Sequence, residues 1–442
     1  MRSRPLIAIG LLPLLLALAS CGGGGSSIAT SPSGSGGGQT LTTSGANVVT
    51  MTVDAGPSGV NAADIPYITV TLCDPVNTTQ CQTFDHIEVD TGSYGFRILA
   101  DATDTTGIAY NLSLPPETDS GGNPLAECTA FVDGYSWGPV ATADLQISGE
   151  AANGVPVQVI GDPSQSGESS FPAVPSSCSQ SGTQTPEDTV AAFGANGILG
   201  VGPFTHDCGS GCVGSVNAGN GVYYTCPPSG CQETALSSID QEVANPVPSF
   251  QTDDNGVIIE LPAIASSGAA TATGSLVFGI GTESDNDLSA ANVLTTDSNG
   301  YVTTSFNGQS LPQSLFDTGS NAYYFDDSSI PTCTAPNMSS WFCPSSTLTL
   351  DATNYAVDSS GAMTGPSSSV TFSVANATTL FNSSNTAFND IAASSGSQAA
   401  YCQNQSSNCS FDFGLPFFFG RNVYVAISGA NTPDGLGPYF AY

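Results

Sequence analysis

Asp90-Thr91-Gly92-Ser93 and Asp317-Thr318-Gly319-Ser320 are the same four residues, 227 positions apart (317 − 90) in a chain of 442. Composition alone predicts on the order of a few hundredths of one such copy, so the repeat carries information. His86-Ile87-Glu88-Val89 leads into the first copy and Gln313-Ser314-Leu315-Phe316 into the second, each reading as a strand that ends on its Asp. In such a loop the strand fixes the carboxylate and Gly lets another backbone approach. The Thr and Ser hydroxyls hold the geometry by hydrogen bonds to backbone or carboxylate. If the two loops meet, like-charge repulsion raises one carboxyl pKa and leaves the other low, so one proton is shared. The ionised member can then activate a water while the protonated member donates to a carbonyl oxygen. That is hydrolysis with no metal, cofactor or covalent intermediate.

The elements that position these loops read as strands. Tyr67 to Leu72, Leu145 to Ile147, Val155 to Ile160, Val257 to Leu261, Ser275 to Gly279, Val370 to Val374 and Val423 to Ile427 are short β-branched or aromatic runs. Gly, Pro, Asn and Ser punctuate them, which is an all-β rhythm. Helical spacing occurs at Ala235 to Val243, where Leu236, Ile239 and Val243 fall at i, i+3 and i+7 and predict one short helix. At this length two lobes are expected, one repeat in each. The division is 1–20 signal peptide, 21–45 Gly/Ser-rich tether, 46–262 first lobe and 263–442 second lobe.

The charge balance narrows the function. There are 37 acidic and 4 basic residues, no Lys among them, yet only 9% of the chain is charged and 40% is hydrophobic. A packed core is within reach, and nucleic acid is excluded as a partner because phosphate neutralisation needs basic clusters. Arg2 and Arg4, the apolar stretch Leu6 to Leu18 and Leu18-Ala19-Ser20-Cys21 read as a bacterial lipoprotein signal, with Cys21 acylated. Gly22 after the Cys points to the outer membrane, and the Gly-rich tract to Gly38 is a flexible tether. Removal of the signal leaves Arg97 and Arg421 against 37 acids, a balance of −35 (2 − 37). Such a chain is expected to work best on the acid side of neutrality.

Cys21 aside, twelve cysteines remain, an even number in an exported chain, and disulfides are the natural reading. Short spacings pair Cys73 with Cys81, Cys333 with Cys343 and Cys402 with Cys409, leaving Cys128 and Cys178 as an isolated pair. Cys208, Cys212, Cys226 and Cys231 beside His206 have either of two readings, two further disulfides or a zinc site.

With the repeat and its surroundings assembled, the chain resembles the pepsin-like aspartic peptidases. Gly197-Ile198-Leu199-Gly200-Val201-Gly202 looks like the hydrophobic-hydrophobic-Gly segment that packs beside the family's first catalytic loop. Phe411-Asp412-Phe413-Gly414-Leu415-Pro416-Phe417-Phe418 is similar to its counterpart near the C-terminus, with Leu415 where an Asp is common. Gly274 to Gly279 resembles a strand between the motifs, and Tyr67-Ile68-Thr69-Val70 the strand leading to the first Asp. The likeness spans roughly residues 61 to 442, in the family's order. It implies an all-β bilobal fold with few short helices, Asp90 and Asp317 as the catalytic pair, and Thr91, Gly92, Ser93, Thr318, Gly319 and Ser320 in support. It also implies an extended polypeptide substrate and a monomer.

The departures are local. The family's flap presents a Tyr over the substrate, and here the segment is Phe131-Val132-Asp133-Gly134-Tyr135-Ser136-Trp137-Gly138. Either Phe131 takes that place without a hydroxyl or Tyr135 does so from a shifted position. After the first motif, Tyr94-Gly95-Phe96-Arg97 replaces the usual Ser-Asn-hydrophobic-Trp run. Two rival readings use the same residues. Gly134 to Gly138 also matches a serine-hydrolase nucleophile elbow, which requires a strand-turn-helix context and a downstream His. A pepsin-like lipoprotein that binds an envelope partner with weak or no cleavage is the other.

Overall fold

The computed structural model describes residues 39–131, 134–161, 172–214, 221–288, 291–395 and 410–442. The signal segment, Cys21, Cys402 and Cys409 lie outside them. The chain is tied to the folded body from its first described residues: Gln39 Nε2 donates to Leu261 O (2.7 Å) and Arg421 O (2.9 Å), and Thr42 N to Glu260 Oε2 (2.5 Å).

The architecture is all-β. Strands that frame the repeat are β1 Val48–Val53, β2 Pro66–Cys73, β3 Cys81–Asp90, β4 Tyr94–Leu99, β5 Leu125–Ala130, β6 Tyr135–Ile147, β7 Glu150–Ile160 and β8 Gly197–Val201. They continue as β9 Gly256–Leu261, β10 Ala272–Phe278, β11 Val302–Phe306, β12 Gln309–Phe316 and β13 Tyr323–Tyr324. The last are β14 Leu348–Val357, β15 Met363–Val374, β16 Asp412–Phe413 and β17 Arg421–Ala426. A 15-stranded sheet carries the run β5-β6-β7-β4-β8-β3-β2-β1-β10-β9-β17, and a 7-stranded sheet the run β15-β14-β11-β12-β16-β13.

One arrangement occurs twice. β3 ends on Asp90 and pairs in parallel with β8 (Glu88 with Ile198, Val89 with Leu199, Asp90 with Gly200), and β8 pairs antiparallel with β4. β12 ends one residue before Asp317 and pairs in parallel with β16 (Leu315 with Asp412, Phe316 with Phe413), and β16 pairs antiparallel with β13. In each case a short strand, inserted between the two arms that flank an Asp-Thr-Gly-Ser loop, clamps it from both sides. Strands buried on both faces read as continuous apolar runs, and β8 is buried at all five positions.

Aromatic packing holds the second copy. Phe411 and Phe413 stack at 4.2 Å, Phe325 stacks on Phe411 at 4.9 Å, and Phe316 lies on Phe413 at 5.1 Å. Each such pair adds about 0.5–1.5 kcal/mol beyond its buried area. In the first half aliphatic residues do this work: Ile87, Val89, Ile98, Ile198 and Leu199 are all fully buried.

The helix expected over Ala235 to Val243 does not form. A single 3-10 turn covers Ile239–Gln241, capped by Ser238. Leu236 is drawn into a bridge with Val213, and Ala244 into one with His206. Tertiary bridges at both ends override three apolar residues at helical spacing. The α-helices among the described residues are α1 Val190–Phe193 and the turn Ala377–Phe381. No helix among those residues is long and apolar enough to cross a membrane.

Candidate active site

The two Asp-Thr-Gly-Ser loops meet tip to tip, and a reciprocal hydrogen-bond frame joins them. Thr91 N donates to Thr318 Oγ1 (3.1 Å) and Thr318 N to Thr91 Oγ1 (3.0 Å). Each hydroxyl then donates across to the strand leading into the opposite loop, Thr91 Oγ1 to Phe316 O (2.8 Å) and Thr318 Oγ1 to Val89 O (2.7 Å). Both threonines are buried, so these groups have no water to fall back on.

Within each loop the Asp is held the same way. Gly92 N donates to Asp90 Oδ1 (2.9 Å) and Gly319 N to Asp317 Oδ1 (2.8 Å). Ser93 Oγ donates to Asp90 Oδ2, and Ser320 Oγ lies 3.1 Å from Asp317 Oδ2. The carboxyls of Asp90 and Asp317 are themselves hydrogen-bonded. The approach is close enough to require glycine: a Cβ on Gly92 would sit 2.6 Å from Asp317 Oδ2. Burial pushes Asp317 well above the usual carboxylate range, and the charges of Asp90 and then Asp412 push it further. These causes favour a protonated Asp317. The eight motif residues therefore come together as the sequence anticipates.

Two neighbours, Tyr94 and Asp412, were not singled out from sequence. Burial pushes the Tyr94 hydroxyl above an ordinary phenol, and the charges of Tyr301, Asp90 and Asp317 add to it. Tyr94 packs edge-on against Phe204 at 5.5 Å. Asp412 reaches the second loop through Ser320 Oγ, 2.5 Å from its Oδ2. A lone acid inside the aromatic run Phe411 to Phe419 was the signal available for it.

Phe131 and Tyr135 close the β5–β6 hairpin, where Phe131 N donates to Gly134 O (2.8 Å). They face different surroundings. Phe131 packs on Phe193 at 5.9 Å and joins the core that contains Val89 and Phe316. Tyr135 packs with Trp137, Cys128 and Tyr224 in a separate cluster. The hairpin is anchored by a buried ion network. Arg97 on β4 donates to Glu127 Oε2 (3.0 Å) and Oε1 (2.5 Å) on β5, to Asp207 Oδ2 (3.2 Å) and back to Tyr94 O (2.7 Å). Tyr223 OH donates to Asp207 Oδ1 (2.9 Å). Burial raises the Asp207 carboxyl well above its usual range and the Glu127 charge adds to it; at Glu127 burial is outweighed by the Arg97 charge together with hydrogen bonds from Asp207, Arg97 and Thr129, which hold it low. Arg97 and the lowered Glu127 form the charge pair, beside Asp207 and Glu242, whose carboxyls burial pushes toward the neutral form.

The rival constellations do not assemble. Ser136 lies inside β6, fully buried, and its Oγ donates to Gln158 Oε1 (3.1 Å); a strand interior cannot form a strand-turn-helix elbow. Cys208 pairs with Cys212 and Cys226 with Cys231, so these sulfurs are bonded to each other. Cys73–Cys81, Cys128–Cys178 and Cys333–Cys343 pair as expected. His86 is half-buried at a register shift in β3. It lies between Asp54 (3.4 Å) and Asp85 (3.0 Å).

Residues 43–442 match the family described as "Protein of unknown function (DUF3443)". The chain belongs to the DUF3443 family. No curated protein matches this DUF3443 member. Among solved structures it is similar to the aspartic proteinase from Irpex lacteus, with 13% identity and a TM-score of 0.47, over 89% of this chain and 96% of that one. At that distance the site rests on its own geometry.

Proposed function

We propose that this DUF3443 protein is an aspartic-type endopeptidase with a two-lobed pepsin-like fold, residues 46–262 and 263–442 each contributing one loop. Asp90, as the carboxylate, takes a proton from a water held between the loops. Asp317, as the acid, donates to the scissile carbonyl oxygen, and the tetrahedral intermediate collapses as the proton passes on to the leaving amine. The β5–β6 hairpin covers an extended polypeptide, with Phe131 the residue on the side of the pair's own core. Cys21 carries the lipid that tethers the enzyme in the cell envelope, with the outer membrane as its expected location.

The observation that carries this reading is the reciprocal Thr91–Thr318 frame, which brings two buried, hydrogen-bonded carboxyls together. A pair of structural turn aspartates would have no reason to be buried against each other at the cost of like-charge repulsion. The absence of a hydroxyl on Phe131 favours a second reading, a polypeptide-binding lipoprotein with weak or no cleavage. The test is to incubate residues 22–442 with unfolded protein from pH 3 to 7, alongside Asp90→Asn and Asp317→Asn. Cleavage by the wild type alone is expected. Identical behaviour of all three removes the peptidase reading, and binding without cleavage selects the second.

A further inference from the structure

Asp412 is the place where the two halves of the site stop matching. In the paired strands it occupies the register position that Ile198 occupies in the first half, since Leu315 pairs with Asp412 as Glu88 pairs with Ile198. An aliphatic residue has been exchanged for an acid at the back of one catalytic loop. Its Oδ1 is buried and has no hydrogen-bond partner among the described residues, and its Oδ2 lies 2.5 Å from Ser320 Oγ. Asp412 takes part in no ion pair among those residues. Among the described residues, the groups that face it are Ser320 and Asp317 from the loop after β12, and Asp90 from the loop after β3. On β13 the residue in register is Tyr324, whose hydroxyl donates to Asn321 Oδ1 (2.6 Å).

Ser320 has one hydroxyl proton and two carboxyl oxygens within reach, Asp317 Oδ2 at 3.1 Å and Asp412 Oδ2 at 2.5 Å. Both contacts can be hydrogen bonds only if one carboxyl supplies a proton of its own. Ser93, by contrast, bonds Asp90 alone among the described residues, with Ile198 where an acid would have to be. We propose that Asp412 is a positioning residue of the peptidase site, a third acid that exchanges a proton with Asp317 through the Ser320 hydroxyl. Once ionised, Asp412 keeps Asp317 protonated to higher pH by its charge.

The exchange balances. The Asp412 carboxyl proton moves to Ser320 Oγ as the Ser320 hydroxyl proton moves to Asp317 Oδ2. A protonated Asp412 and an ionised Asp317 thereby become an ionised Asp412 and a protonated Asp317, with no change in total charge. Asp317 keeps the last proton because two carboxylates, Asp90 and Asp412, face it. Burial raises Asp412 to about 7 in spite of its bond to Ser320, so it ionises near neutrality, and its charge then opposes the loss of the Asp317 proton.

This inference deepens the peptidase reading and rests on it, so its test has two arms. In the first, full-length protein labelled with ¹³C at the Asp side-chain carboxyl is titrated from pH 3 to 10. The Asp317 resonance is identified by its loss in Asp317→Asn. Its midpoint is expected to fall by about one unit in Asp412→Asn and in Asp412→Ile, the second reproducing the residue of the first half. An unmoved midpoint in both overturns the inference whether or not the protein cleaves anything. In the second arm, the alkaline limb of kcat/KM is expected to move toward acid by a similar amount in both variants. If the wild type cleaves and the limb does not move, the inference fails and the peptidase reading stands. If the wild type cleaves nothing, the peptidase reading fails and the carboxyl titration alone decides the role of Asp412.

Discussion

At the first loop, Ser93 bonds one carboxyl and the position behind it is apolar, while the strand that leaves the loop carries Arg97 opposite Ile198. At the second, Ser320 lies between Asp317 and Asp412, and the corresponding strand carries Tyr324 opposite Asp412. The backbone frame is duplicated almost bond for bond, and the charges around it are not. A symmetric frame brings two acids together but cannot decide which of them holds the shared proton. The surroundings differ in charge: Asp317 faces Asp412 as well as Asp90, and burial together with those charges pushes it toward the neutral form.

That contrast can be broken from either side. Asp90→Asn or Asp317→Asn should each lower peptidase turnover by about 10³–10⁴-fold, because each removes half of a shared acid–base pair; initial rates on an unfolded protein at acid pH measure it. Arg97→Met should cost about 3–5 kcal/mol in denaturant unfolding, since Glu127 would be left buried without its cation. Ile198→Asp would give the first loop the acid that the second already has. It should destabilise the protein by more than about 2 kcal/mol at pH 7 and by clearly less at pH 4, where the new carboxyl is neutral. Thr91→Val and Thr318→Val each strand a buried N–H on the opposite loop, and each should cost about 1–3 kcal/mol by the same measurement, with similar values for the two.

Stability should also respond to pH with a definite sign. Asp317, Asp412 and Asp207 all bind protons more tightly folded than unfolded. The folded state therefore takes up protons above the ordinary carboxylate range, and stability falls as pH rises from about 4 toward 7. His86, raised from 6.5 to about 9 chiefly by its bond to Asp54, adds in the same direction. Its contribution is whole below the ordinary value and is lost as pH rises through the folded one. Thermal unfolding at pH 4.5 and pH 8 should give the higher midpoint at the lower pH.

Much of the frame was legible in the sequence. The seven strand runs correspond to strands because β-branched and aromatic residues between Gly and Pro leave little else to form, and two identical tetrapeptides at strand ends marked the two loops that meet. The features not legible depend on partners far apart in the chain. Arg97 meets Glu127 and Asp207, 30 and 110 positions away, and Asp412 matters because Ser320 is 92 positions earlier. The 235–243 segment misled because its apolar spacing was helical while its ends were claimed by Val213 and His206.

The most direct test of the central claim, that the two loops form one preorganised acid–base site, is calorimetric binding of a statine-type peptide at pH 4.5. The secondary hydroxyl of such a compound occupies the place of the water between two carboxyls. The wild type should bind it at least about 10²-fold more tightly than Asp90→Asn or Asp317→Asn. Equal affinity in all three proteins, or none in the wild type, would contradict a preorganised pair.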